Sequence, residues 1–441
     1  MPTISSDNIL TLCHPRSSSG QNPNQAVIVS SPAYLVDDIP QDHVLIKVDR
    51  FGFSANNITY QALGEAPHFR YFDFHLAPKA GKISAEQYGV TPVWGFGTVL
   101  RSTHAKISSG ERVYGYFAPT QYLLLPVSPA DVNKFAFFVP RPHLPADRRP
   151  YNQVTRCQSD PLYDPSPVAE DLTMLYRPLF WTSFWCEDWL NSTDYRHGAS
   201  RILISSASSK TAFCLAYLIR KRISQASNSA AQMRKIVGLT SKKNLAFTQR
   251  LGLYDDILEY ETFASSSAMR LAEQKWIYVD VAGNDSLNAQ IFAYFESKSD
   301  KRRHLVACIA LGFTNLSPAA EPAASLTKWS KNDFSTNSTR SDTDNTVKVI
   351  PDVEQFFMPE WLAVRRYQLS VAEITRLQKD AWTNLMKDCL GWGVHLRRVY
   401  GPDQVKKAYE NVVASGIPPQ EGFIWSLWDE ASEREQAKSR L

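Results

Sequence analysis

The chain lacks the residue groupings that would tie it to metal, disulfide or membrane chemistry. Its six cysteines, Cys13, Cys157, Cys186, Cys214, Cys308 and Cys389, are scattered with no CxxC pair. In a chain of 441 residues that reads as free thiols in a reducing compartment. The nine histidines form no HxxxH or HxH group, so they read as isolated polar residues. No run of roughly 18 apolar residues is present, which excludes a membrane-spanning helix. The opening, MPTISSDNILTLCHPRSSSG, lacks the charged start and apolar centre of a signal peptide, so the cytosol is the expected location. The net charge of +4 is small, and no basic stripe is interleaved with aromatics, so nucleic acid is not an expected partner. No internal repeat is visible.

What remains is an ordinary globular composition, 44% hydrophobic and 21% charged. The length suggests two or three domains. Residues 26–60 and 92–125 alternate like strands (AVIVSS, HVLIKVDRFGFS, PVWGFGTVLRS, ERVYGYF, TQYLLLPV), with turn residues such as Ser108-Ser109-Gly110 between them. This third reads as a β-rich barrel. Residues 139–175 read as irregular connection. Strand-like and helical runs then alternate, from RILIS to HLVACIALG, which predicts βαβ units and a parallel sheet. Residues 319–346 are polar and of low complexity, and read as an insertion. Two helices and a final strand, GFIWSLW, end the pattern.

The informative stretch is ILISSASSKTAFCLAYLIRK, residues 202–221: a strand, a small-residue turn and a helix. A dinucleotide fingerprint would place glycines where Ser206, Ser209 and Ala212 stand. All three are small, so backbone can approach a phosphate, and the helix start offers amides. Ser206, Ala207, Ser208, Ser209, Lys210 and Thr211 are therefore candidate cofactor-binding residues. The alternative is an ordinary turn whose serines cap the helix. A P-loop is set aside, because Ile204 and Ser209 occupy both of its glycine positions. The next strand ends in Thr240-Ser241-Lys242-Lys243 with no acid. Hydroxyls and a cation suit a ribose 2′-phosphate, so Thr240, Ser241 and Lys242 point to NADP(H) rather than NAD(H).

The layout of β-rich domain, Rossmann half and carboxy-terminal return resembles the medium-chain dehydrogenase/reductase superfamily. HVLIKVDRFGFSANNITY and VWGFGTVLRSTHAKISSGERVYGY are similar to its early strand and its GHE…G…GDRV segment. ANNITYQALG, RPLFWTSF, ISSASSKTA, GLTSKKN and VDVAG resemble the DUF2855 group more closely. The resemblance implies a GroES-like domain over 1–175, a Rossmann-type domain over 176–360 and a return over 361–441. It also implies Thr182 and Ala282 beside the cofactor, and leaves room for a homodimer. The zinc ligands of zinc-dependent members are replaced by Ser54, Phe96 and Gly97, so no zinc is expected. Asn56, Asn57 and Tyr60 fall in the loop that faces the nicotinamide in zinc-free relatives, where tyrosine and water do the proton work. Asp73, among aromatics, is a candidate base if buried. The expected function is a zinc-independent, NADPH-dependent reductase of an activated C=C or quinone-like carbonyl on a small substrate. A non-redox isomerase, lyase or cyclase, or a binding protein without catalysis, stays open.

Overall fold

The computed structural model describes residues 8–35, 38–227, 232–270, 274–297, 303–313, 317–318 and 350–431. The polar insertion read at 319–346 lies outside the described residues. The first part of the chain supplies β1 (Asn8–Pro15), β2 (Val27–Pro32), β3 (His43–Phe53), β4 (Tyr88–Gly89), β5 (Val93–Ser102), β6 (Arg112–Phe117), β7 (Tyr122–Pro126), β8 (Ala136–Phe138) and β9 (Gln153–Arg156). Helix α1 (Ala55–Ala62) follows β3, and the long helix α2 (Pro167–Ser192) follows β9. Residues 139–175 are thus not irregular throughout: they hold β9 and the first turns of α2.

Next come β10 (Arg201–Ile204), α3 (Lys210–Gln225), β11 (Lys235–Thr240), α4 (Leu245–Arg250), β12 (Asp256–Glu259), β13 (Gln274–Asp280), α5 (Asp285–Glu296), β14 (Arg303–Ala310) and β15 (Val353–Gln355). The end of the chain adds α6 (Met358–Gln368), α7 (Val371–Asp388), β16 (His395–Tyr400), α8 (Pro402–Ser415) and β17 (Glu421–Ser426).

The strands β10 to β15 form one parallel sheet in the order β12-β11-β10-β13-β14-β15. That is the doubly wound Rossmann order, and its direction reverses between β10 and β13. A second sheet runs β16-β17-β3-β5-β6-β9-β8, with β7 also on β3, and a small sheet runs β2-β1-β4. A bridge between Thr11 and Thr120 ties the small sheet to the larger one. At the carboxy-terminal end, β17 pairs antiparallel with β3 and brings β16 with it. Helices α6 and α7 instead pack Trp361, Leu362, Trp382 and Leu385 into the core shared by α2 and α3.

Helix α2 connects the two sheets. Its start is held by buried charge. Glu170 receives Arg50 Nη2 at 2.7 Å and Arg112 Nη2 at 2.6 Å, while Tyr163 donates to it at 2.9 Å. Asp171 pairs with Arg50 at 3.0 Å and Arg398 at 2.6 Å, and Asp49 pairs with Arg112. Two turns on, Pro178 removes the amide that would bond the Met174 carbonyl. Gly52 of β3 lies against that carbonyl; a Cβ there would sit 2.8 Å from its oxygen.

Breaking a buried ion pair leaves an uncompensated charge. Glu170→Gln should cost about 3–5 kcal/mol, read as a lower midpoint in urea denaturation. An unchanged midpoint would remove the cluster from the account.

Candidate functional site

A cavity of about 920 Å³ lies at the carboxyl ends of β10 and β13, where the sheet order reverses, and extends to α1 and α2. Open α/β sheets bind ligands at such a reversal. Ser205, fully buried, fastens the two strand ends together. Its hydroxyl donates to Asp280 Oδ1 at 2.8 Å and accepts from the amides of Val281 and Ala282 at 2.9 and 3.0 Å. Asp280 also receives Gly283 N–H and Asn288 Nδ2.

The glycine-free turn solves the steric problem residue by residue. Ser206 takes the left-handed conformation, φ 52°, that a glycine would take, and its amide donates to the Tyr260 hydroxyl at 3.1 Å. Ala207 turns inward: it is fully buried, its amide bonds Leu239 O, and Gly238 makes room for it, since a Cβ there would lie 2.8 Å from Ala207 Cβ. Ala207 is therefore a packing residue, not part of the cavity wall. Ser209 caps α3, its hydroxyl accepting from Ala212 N at 3.4 Å. The amides of Ser208, Lys210 and Thr211 reach no acceptor among the described residues. They stand at the positive end of a 16-residue helix, beside the cavity. Capping and anion binding are thus compatible, because the cap uses Ser209 and leaves those amides unused.

Lys210 behaves differently from the expectation. Its buried ammonium donates to Pro419 O at 3.2 Å and Glu421 O at 2.8 Å, just before β17. No carboxylate pairs with it among the described residues. Burial lowers its pKa to about 8, with smaller opposing effects from Cys214 and Glu421.

The turn after β11 also needs correction. Ser241 and Lys243 line the cavity, and Lys242 does not. Thr240 is fully buried below the wall. The hydroxyls of Thr240 and Ser241 have no partner among the described residues. Asn244 Nδ2 donates to Ser208 Oγ at 3.1 Å, which links the two turns.

On the other side, the segment expected as a loop is helix α1. Ser54 caps it, and the Asn57 side chain accepts from Ser54 N at 2.9 Å and donates to Pro92 O at 3.3 Å. Asn57 is committed to that capping box and lies off the cavity wall. Asn56 and Tyr60, one helical turn apart, do line the cavity. Tyr60 accepts Trp94 Nε1 at 3.3 Å. Burial, with a contribution from Tyr151, raises its pKa, so it stays a neutral phenol able to donate. Asp73 lies outside the cavity wall, ion-paired with Arg70 at 2.7 Å, and is not placed to act as a base. Thr182 and Ala282 line the cavity; the Thr182 hydroxyl donates to Pro178 O at 3.2 Å. Of the former zinc positions, Ser54 is a helix cap, Phe96 is core, and a Cβ on Gly97 would meet Ile46 and Lys47. No group of three metal-ligating side chains occurs among the described residues, and no helix there is long and apolar enough to cross a membrane.

Sequence reasoning missed Tyr260, Trp94, Lys243 and Arg177. For Arg177 a signal existed: Arg177, Trp181 and Trp185 recur every four residues, one face of a helix.

Residues 51–418 match the family model described as "Protein of unknown function (DUF2855)". The chain belongs to the DUF2855 family. The search of curated proteins returned no match. Among solved structures, this DUF2855 chain is similar to the yhdH oxidoreductase from Salmonella enterica in complex with NADP, at 14% identity and TM-score 0.47, over 95% of this chain and 98% of that one. It is similar to CurA from Vibrio vulnificus in complex with NADPH, at 11% identity and TM-score 0.44, over 90% and 94%. It is also similar to the CurF ER cyclopropanase of the curacin A biosynthetic pathway, at 12% identity and TM-score 0.48, over 95% and 99%. TM-scores below 0.5 decide neither fold nor function; the DUF2855 chain's own strand order decides the fold.

The buried ammonium of Lys210 has a measurable consequence. Its folded pKa of about 8 lies below the ordinary 10.5. Between those values the unfolded chain binds more protons, so this group adds stability as pH rises through the window. The stability of the native chain relative to Lys210→Met should therefore increase from about pH 8 to about pH 10 in urea denaturation. A difference that stays constant with pH would contradict the burial.

Proposed function

We propose that this DUF2855 chain is an NADPH-dependent reductase of an activated double bond or conjugated carbonyl, working without zinc. The observation that carries the reading is the set of unused amides of Ser208, Lys210 and Thr211 at the start of α3, at the point where the sheet order reverses. Amides with no acceptor at the positive end of a helix suit a pyrophosphate. The uncompensated ammonium of Lys210 close by adds positive potential without touching the anion. The end of β11 offers no carboxylate for a ribose 2′-hydroxyl; Ser241 and Lys243 suit a 2′-phosphate instead.

A bound nicotinamide would supply a hydride. The chain's own part is to hold and polarise the acceptor. Tyr60, its oxygen already accepting from Trp94, directs its proton toward a substrate carbonyl oxygen and stabilises the charge that gathers there. For an enone, the balance is one hydride to the β-carbon and one proton, from solvent, to the α-carbon, with NADPH oxidised to NADP⁺. Asn56 lies beside the Tyr60 hydroxyl and orients it. Aromatic side chains, among them Trp94, Tyr71 and Trp181, give a flat conjugated substrate walls to stack on.

The test is a fluorescence titration with both cofactors. NADPH should bind about tenfold or more tightly than NADH, the effect of one charge-assisted contact. Lys243→Glu should narrow or reverse that preference, and Lys242→Glu should leave it nearly intact. Equal affinities, or no binding of either cofactor, would sink the reading.

A further inference from the structure

We infer that the substrate is an anion: a conjugated molecule carrying a carboxylate, held by Arg177 at the far side of Trp94 and Tyr114 from Tyr60. This deepens, and rests on, the reductase reading above.

Arg177 lies on the face of α2 that also carries Trp181 and Trp185, and all three line the cavity. Its guanidinium is locked in place. Nη1 donates to Asp160 Oδ2 at 2.8 Å, and the other Asp160 oxygen is held by Leu162 N at 3.0 Å. Its Cζ sits over the Tyr114 ring, 5.2 Å from the centroid. The ion pair thus uses one nitrogen of three. Nε and Nη2 reach no acceptor among the described residues, and neither is fully enclosed by protein atoms. Those two N–H groups form the side of the guanidinium fork that matches the two oxygens of a carboxylate. The Tyr114 hydroxyl, buried in the same wall, has no partner among the described residues either.

The geometry sets a spacing. Tyr60 bonds the Trp94 indole, Trp94 stacks on Tyr114 with centroids 5.6 Å apart, and Tyr114 stacks under Arg177. The polarising phenol and the free guanidinium edge are therefore separated by two aromatic side chains along one wall. A substrate that engages both has its reacting carbonyl at one end, a flat spacer on the rings, and its acid at the other end.

The charge of this side of the cavity agrees. Among the described residues, the charged side chains lining it here are Arg149, Arg177 and Arg366, with no carboxylate; Glu261, the one described acid lining the cavity, follows β12 on the cofactor side. Arg149 is paired with Asp131 at 2.9 Å. Arg366 has no ion partner among the described residues, so the wall keeps net positive charge.

The test uses the full chain and two probes, (E)-4-(3-oxobut-1-enyl)benzoate and its methyl ester, which share the enone and ring and differ in the acid. Affinities are read from quenching of tryptophan fluorescence, with NADP⁺ affinity measured in the same samples. The native chain should bind the acid about tenfold or more tightly than the ester. Arg177→Gln should abolish that preference while leaving ester and NADP⁺ affinities unchanged. If Arg177→Gln does not fold, Arg177→Lys, which keeps the charge beside Asp160 but not the fork, should retain only part of the preference. Equal binding of acid and ester by the native chain overturns the proposal. So does a preference that survives Arg177→Gln, or one lost in Arg366→Gln and kept in Arg177→Gln. If NADP⁺ fails to bind while the preference follows Arg177, the reductase reading falls and the carboxylate site stands. If NADP⁺ binds and no preference exists, the reverse holds.

Discussion

The buried ion cluster at the start of α2 is the constraint on which the site depends. Glu170 and Asp171 are adjacent in sequence, yet they reach arginines from three different strands, β3, β6 and β16. This fixes the helix against the larger sheet at its first turn. The rest of the helix then runs into the core of the Rossmann half, where Trp189 and Leu190 are fully buried. The cavity-lining residues of α2 sit between these anchors. Their position relative to both Tyr60 and the α3 amides is set by ion pairs at one end and apolar packing at the other. Buried charge costs desolvation, and its return here is orientation.

The turn after β10 shows that a glycine fingerprint is a set of separable demands. One position needs the left-handed conformation, and Ser206 adopts it at a cost of order 1 kcal/mol. Its amide bond to Tyr260 helps hold it there. Another demand is close packing of turn on strand. It is met from the opposite side: the glycine is Gly238 in β11, and the turn carries alanine. The last demand is unused amides at the helix start, which depends on the cap rather than on glycine. Ser209 supplies the cap through its side chain and leaves the neighbouring amides unspent.

Much of the fold was legible because its periodicities are strong. The βαβ rhythm from RILIS onward predicted the parallel sheet, and the alternating strands β3, β5 and β6 lie where they were read. What failed was local. The early loop is a helix, because a Ser54–Asn57 capping box starts it. β16 was missed, since its sequence, HLRRVY, alternates charge and apolar residues on an edge strand. At the candidate site, the small-residue turn was legible from residue type and spacing, whereas Tyr60 was implied only by the family resemblance. Lys243 was not separable from Lys242, because a short 3-10 turn decides which of two adjacent lysines faces the cavity. Asp73 was misplaced because its partner, Arg70, is three residues away and both sit in one turn. Such choices are made by tertiary geometry, which residue type alone does not encode.

The central claim is that amides of a glycine-free turn bind the pyrophosphate of NADPH. Hydrogen–deuterium exchange of the turn peptide, with and without NADPH, tests it most directly. The account predicts slower exchange confined to the amides of Ser208, Lys210 and Thr211 and the turn after β11, with the core of α3 unchanged. Exchange at residues 208–211 that is the same with and without saturating NADPH would contradict it.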